Sequence, residues 1–232
     1  MSLTDHQAIV DRKTRAPEDI VTPADRDAAI QAAVLRYSQD RPLRRVVDVS
    51  VLAGENEIAL PPTWAPGESV LLSVEAPAGE VPPSVLDVSG YAIVARPNGD
   101  ALLISDAFGA PTQCRLAFTG PHVVSASIDT IPARDREALG YWAAAILCDQ
   151  VAAHHAENRE PTIQADRVDY TSPAKEWGRR AEACRKLYFQ LMGIDTGPGG
   201  ASAMPPKPAG AVVNLDVPES RLRERLARRR WR

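Results

Sequence analysis

Aromatic side chains make up only 5% of this chain, so its core has to be assembled mostly from Ala, Val, Leu and Ile. Cysteine is scarcer: Cys114, Cys148 and Cys184 are odd in number, widely spaced and form no CxxC. That argues against a disulfide framework and against a structural zinc site, and a reducing, cytosolic setting is the simplest expectation. No run of about 18 apolar residues exists, so no membrane-spanning segment is expected. The opening MSLTDHQAIVDRKTRAPEDIV lacks the apolar core of a secretory signal, and none is expected.

Catalytic signatures are missing too. There is no phosphate loop, no GxGxxG after a strand, no HExxH and no GxSxG. GPGG at 197–200 lacks the Lys-Ser/Thr that a phosphate loop requires. His154 and His155 are adjacent, and neighbours on a helix point about 100° apart, so the pair is ill-placed to chelate one ion. Cys184 falls on an apolar stripe with no recognisable base nearby and reads as a small core residue. No enzyme, metal or cofactor is expected.

What is present is ordinary globular composition, 44% hydrophobic and 25% charged over 232 residues, punctuated by twenty prolines and fourteen glycines. The net charge of -3 hides an asymmetry. Residues 201–232 hold eight basic and three acidic groups, a net of +5, which leaves the rest of the chain at -8. An acidic body with a basic tip implies a separate partner for the tip.

Residues 1–21 are polar without a sustained period and read as an extended arm. A helix is predicted from Thr22, a good N-cap followed by Pro23 and by Asp25 three residues on. Ile30, Ala33, Val34 and Tyr37 make its apolar stripe, and Pro42 ends it. From 44 to 127 the period shortens. Alternation at Val47, Val49 and Val51, a series of short β-rich runs, and Asn98-Gly99 between two of them predict a compact antiparallel β-sandwich-like module. Helical signals return near Asp129 or Thr130 as caps with Pro132 behind them. Leu139, Trp142, Ala143, Ile146, Leu147 and Val151 form a broad apolar face, and alanines nearby permit close helix approach. A last helix is predicted from Ser172 and Pro173 to Gly193, a C-cap glycine. Its stripe is Ala174, Trp177, Ala181, Cys184, Tyr188 and Leu191.

The expected class is therefore α+β: a small helical bundle (22–43 and 128–194) with an inserted antiparallel β module (44–127) and an extended C-terminal tail. Residues 195–210, rich in Gly, Pro and Ala, read as a flexible linker. Residues 211–232 read as a docking tail, in which Leu215, Val217, Leu222, Leu226 and Trp231 fill pockets. Arg221, Arg225, Arg228, Arg229 and Arg230 pair with carboxylates there. Phosphate binding by the same arginines is the alternative.

Three stretches carry a resemblance: TPADRDAAIQAAVLRYSQDRP, REALGYWAAAILCDQVAAHHAEN and IQADRVDYTSPAKEWGRRAEACRKLYFQLMGI. With a β region between the first and second, the chain resembles the head-tail connector proteins of tailed bacteriophages, also called adaptor or head-completion proteins. The resemblance implies a structural virion protein made in the host cytoplasm. It would form a ring of about twelve copies beneath the portal, closed by heterologous contacts. It implies portal protein and a tail, stopper or neck protein as partners, and genomic DNA passing through without sequence-specific contact. Residues 211–232 would dock on the portal. Trp142, Ile146, Trp177, Cys184 and Tyr188 would pack the bundle and orient the subunits. The alternative is a binding module whose tail takes nucleic acid and whose β domain takes a protein.

Overall fold

The computed structural model of the chain describes residues 2–17, 19–97, 99–157 and 173–194. Four α-helices occur among them: α1 (Leu3–Thr14), α2 (Pro23–Asp40), α3 (Arg136–Glu157) and α4 (Pro173–Met192). Between α2 and α3 the chain forms six strands: β1 (Leu43–Val51), β2 (Glu57–Ala59), β3 (Leu71–Glu75), β4 (Tyr91–Arg96), β5 (Gly99–Ile104) and β6 (Thr112–Gly120). The class is α+β. The linker (195–210) and the tail (211–232) lie outside the described residues.

α2 starts as its sequence dictates. The Thr22 hydroxyl accepts the Asp25 N–H, the Asp25 carboxylate accepts the Thr22 N–H, and Pro23 takes the first turn. Ile30, Ala33, Val34 and Tyr37 are all buried.

The expected extended arm at 1–21 is corrected: residues 3–14 are helical, opened by a Ser2–Asp5 capping box. The buried stripe is His6, Ile9, Val10 and Thr14. Two of those four are polar, which hides the helical period from a hydrophobic reading. They are tolerated because each is bonded. Thr14 Oγ1 donates to the Val10 carbonyl at 3.0 Å, and His6 Nε2 lies 3.3 Å from Asp129 Oδ2.

α3 is the centre of the bundle, packed by α1, α2 and α4. Its start also differs from expectation. Pro132 leads into a 3-10 turn (Ala133–Asp135), and neither Asp129 nor Thr130 caps it. Asp129 is recruited by His6, by Arg136 at 3.1 Å and by the Ile131 N–H. The Thr130 hydroxyl accepts the Val123 N–H and lies 3.1 Å from His122 Nδ1. The small residues of α3 are used inside the chain: Ala138, Ala143, Ala144 and Ala145 are buried. They are therefore not the free lateral face that a ring contact would need.

α1 crosses α3 at Gly140. A methyl added there would lie 2.5 Å from Ile9 Cγ2 and 3.2 Å from Lys13 Cε. Helix propensity alone makes Gly140→Ala stabilising by about 1 kcal/mol. Overpacking a β-branched neighbour costs about 1 to 3 kcal/mol. We expect the steric term to win, with a net loss of about 1 kcal/mol in urea unfolding. A stabilised Gly140→Ala would mean that α1 is not held so closely.

α4 ends at Gly193, whose φ of +67° turns the chain so that Ile194 packs back into the core. The stripe differs at one position. After Tyr188 the 3.6-residue period falls on Met192, which is buried, and Leu191 faces solvent.

The six strands form two antiparallel three-stranded sheets, ordered β1-β6-β3 and β2-β5-β4. Val51, Cys114, Leu116 and Phe118 from the first meet Ile58, Leu102 and Ile104 from the second in one core. β4 and β5 make the expected hairpin, with Arg96 opposite Gly99 and φ +117° at Gly99; Asn98 lies outside the described residues. The outer face of the first sheet is closed by charge. Arg115 donates to Asp48 at 2.7 and 2.9 Å and approaches Glu75 at 3.6 Å.

Candidate functional site

α3 and α4 run antiparallel and form the most extensive helix–helix seam. The bulky residues expected to organise the bundle lie along it. The Trp142 ring sits 4.9 Å from Tyr188 and 5.7 Å from Phe189, and the Arg36 guanidinium lies 5.0 Å from the Trp142 centroid. Ile146 is half-buried against the same core. Tyr188 is buried, and its hydroxyl donates to Asp40 Oδ2 at 2.6 Å. Arg36 Nε holds that carboxylate from the other side at 2.9 Å. Burial and the neighbouring carboxylate both push the Tyr188 phenol upward, so it stays protonated as a donor.

Trp177 stands apart from this cluster. It is half-buried, with the Arg180 guanidinium 4.5 Å from its ring. Cys184 is also half-buried and faces Cys148 on α3 across the seam. The ten tail positions predicted to dock, Leu215, Val217, Arg221, Leu222, Arg225, Leu226, Arg228, Arg229, Arg230 and Trp231, lie outside the described residues.

A second polar centre ties helix ends together and was not foreseen. Asp135, the last residue of the 3-10 turn before α3, is buried. It accepts the Tyr37 hydroxyl at 2.7 Å and Arg41 Nη1 at 2.9 and 3.0 Å. Arg41 Nη2 donates to the Met192 carbonyl at 2.9 Å, closing the C-terminus of α4. Burial, then the bond to Asp135, pushes the Tyr37 phenol up. His122 sits alongside, its ring 4.9 Å from Tyr37 and its Nε2 3.0 Å from the Arg41 carbonyl. Burial pulls its imidazole below the usual range, although the carbonyls of Arg41 and Thr130 favour the protonated form. These groups are a structural clamp at the base of the β module.

Several large apolar side chains are exposed among the described residues, and some of them are grouped. On α4, Leu187 and Leu191 lie one turn apart. On the β module, a shallow groove runs beside β3 and β4, the outer strands of the two sheets, lined by Trp64, Val70, Leu71, Val88, Tyr91 and Ile93. Trp64 Nε1 donates to Asp100 Oδ2 at 3.0 Å there. Residues 44–127 carry nine acidic and four basic groups, so this groove belongs to the acidic part of the chain. Among the described residues, no three His, Cys, Asp or Glu side chains converge as metal ligands would, and no helix is long and apolar enough to cross a membrane.

No family model matches this chain. No curated protein matches it significantly either.

Proposed function

We propose that this chain is a head-tail connector of a tailed bacteriophage. It forms a ring of about twelve copies beneath the portal through heterologous contacts. The ring extends the DNA channel and presents a surface to a tail, stopper or neck protein. The observation that most supports the reading is the pair of unlike apolar surfaces, Leu187 and Leu191 on α4 and the β3–β4 groove on the module. A ring needs two different complementary patches on each copy, whereas a two-fold dimer needs one self-complementary patch. The acidic body suits a channel through which DNA slides, because like charge disfavours adhesion. The basic, apolar-studded tail at 211–232 is the portal-docking element, and its repetition around a ring turns weak contacts into firm attachment. The chemistry is mechanical: no residue acts as a catalyst.

The test is the mass of the purified chain alone and after mixing with portal rings from the same source. The expected result is joining in about twelve copies. The chain truncated before residue 211 should fold as before and lose co-sedimentation with portal. A truncated chain that still bound portal would end the docking role of the tail. The arginines at 228–230 favour one other reading, nucleic-acid binding. A full chain that ignored portal but shifted DNA, with affinity collapsing between about 50 and 200 mM salt, would replace the connector proposal with that one.

A further inference from the structure

The α3–α4 seam brings two cysteines together that lie far apart in sequence. Three pairs fix its antiparallel register. Trp142 faces Tyr188 and Phe189, and about two turns further along α3, Asp149 ion-pairs with Arg185. That register by itself sets position 148 beside position 184. The two thiols face each other there, each close enough to shift the other's ionisation. Cys148 is buried, whereas Cys184 is half-exposed. The third cysteine, Cys114, lies in the β core away from both.

We propose that Cys148 and Cys184 are a reversible redox pair, oxidised by a peroxide to a disulfide that bolts α3 to α4. The roles are unequal. Cys184 has access to solvent, and Arg180, Lys13 and Arg185 place positive charge around it. The neighbouring Cys148 thiol lowers the Cys184 thiol, while the proximity of Cys184 and burial both raise that of Cys148. Cys184 is therefore the attacking thiolate and Cys148 the resolving thiol.

The chemistry balances with hydrogen peroxide as oxidant. The Cys184 thiolate attacks one peroxide oxygen and the O–O bond breaks. The sulfur becomes a sulfenic acid, and the departing hydroxide takes up the proton that Cys184 released. Cys148 Sγ then attacks the sulfenic sulfur, forming the S–S bond. The sulfenic hydroxyl leaves with the Cys148 proton as a second water. Two thiols lose two electrons and peroxide gains them. A dithiol reductant reverses the step by thiol–disulfide exchange. The bond fixes the seam on which Trp142 and Tyr188 meet.

The test treats the full-length protein with equimolar hydrogen peroxide, followed by a non-reducing peptide map and intact mass. The expected product is monomeric, lighter by two hydrogens, with the Cys148 peptide joined to the Cys184 peptide, and dithiothreitol restores it. The oxidised form should melt roughly 5 °C or more higher than the reduced form. In the reduced protein near neutral pH, Cys184 should alkylate at least about tenfold faster than Cys114. Cys148→Ala should leave a Cys184 sulfenic acid that dimedone captures. If that buried variant does not fold, Cys184→Ser at the more exposed position should abolish both the cross-link and the melting shift. Intermolecular dimers, a sulfinic acid on wild-type Cys184 without the cross-link, or equal reactivity of Cys114 would each overturn the proposal.

Discussion

Asp135→Ala should cost the fold about 3 kcal/mol, visible as a lower urea midpoint with an unchanged slope. The carboxylate is buried and serves two donors from another part of the chain, the Tyr37 hydroxyl and the Arg41 guanidinium. Alanine leaves both without their acceptor. The Tyr37 hydroxyl is then left in the core without its acceptor. Arg41 keeps about a third of its side chain in solvent, which holds the loss near the lower end of what breaking a buried ion pair costs. Arg134 approaches the same carboxylate at 3.6 Å but is mostly exposed and adds little. Asp135→Asn retains an acceptor for Tyr37 and should lose about half as much. Combined with Tyr37→Phe, Asp135→Ala should be clearly non-additive, because both changes remove the same bond. A loss below about 1 kcal/mol for Asp135→Ala would place the stability of the bundle elsewhere.

Phe118→Ala should cost about 3 to 5 kcal/mol, and the damage should be confined to the β module. Phe118 is fully buried on β6, the central strand of its sheet, and its ring lies 5.6 Å from that of Trp64. Its core is distinct from the helical one, which gathers around Ile30, Tyr37, Leu139 and Tyr188. The cavity therefore opens where α1–α4 contribute no packing. Hydrogen exchange is the direct measurement: amides of β1, β3 and β6 should lose protection while those of α2 and α3 keep theirs. Equal loss in both sets would show one cooperative unit in place of two.

The parts of this fold legible in the sequence were those written locally. Thr22, Pro23 and Asp25 announce α2, and all four residues of its apolar stripe are buried. The β4–β5 hairpin follows from Asn98-Gly99, and the inward alternation of β1 follows from Val47, Val49 and Val51. What stayed hidden depends on partners distant in the chain. α1 looks like an arm because His6 and Thr14 occupy buried positions that an apolar count rejects. The bond from His6 to Asp129 spans more than half of the chain. Asp129 and Thr130 look like caps, yet their side chains are taken by His6, Arg136 and His122. The clamp of Tyr37, Arg41 and Asp135 is assembled from residues near opposite ends of the inserted module, and no spacing rule links them. The Cys148–Cys184 contact was invisible for the same reason, since neither helix carries any local sign of the register in which it meets the other.

The pairing of Leu43 with Gly120 has a consequence for how such a chain can diversify. Residues paired across antiparallel strands lie about 5 Å apart, so the chain leaves the helices and returns to them at almost the same point. To α1–α4 the whole interval is a loop with its ends already joined. Lengthening a closed loop carries an entropic penalty that grows only with the logarithm of its length. The module is thus an exchangeable cassette. Its outer turns can be extended, trimmed or replaced to suit a new neighbour, and the helices that hold it need not change to accommodate the exchange.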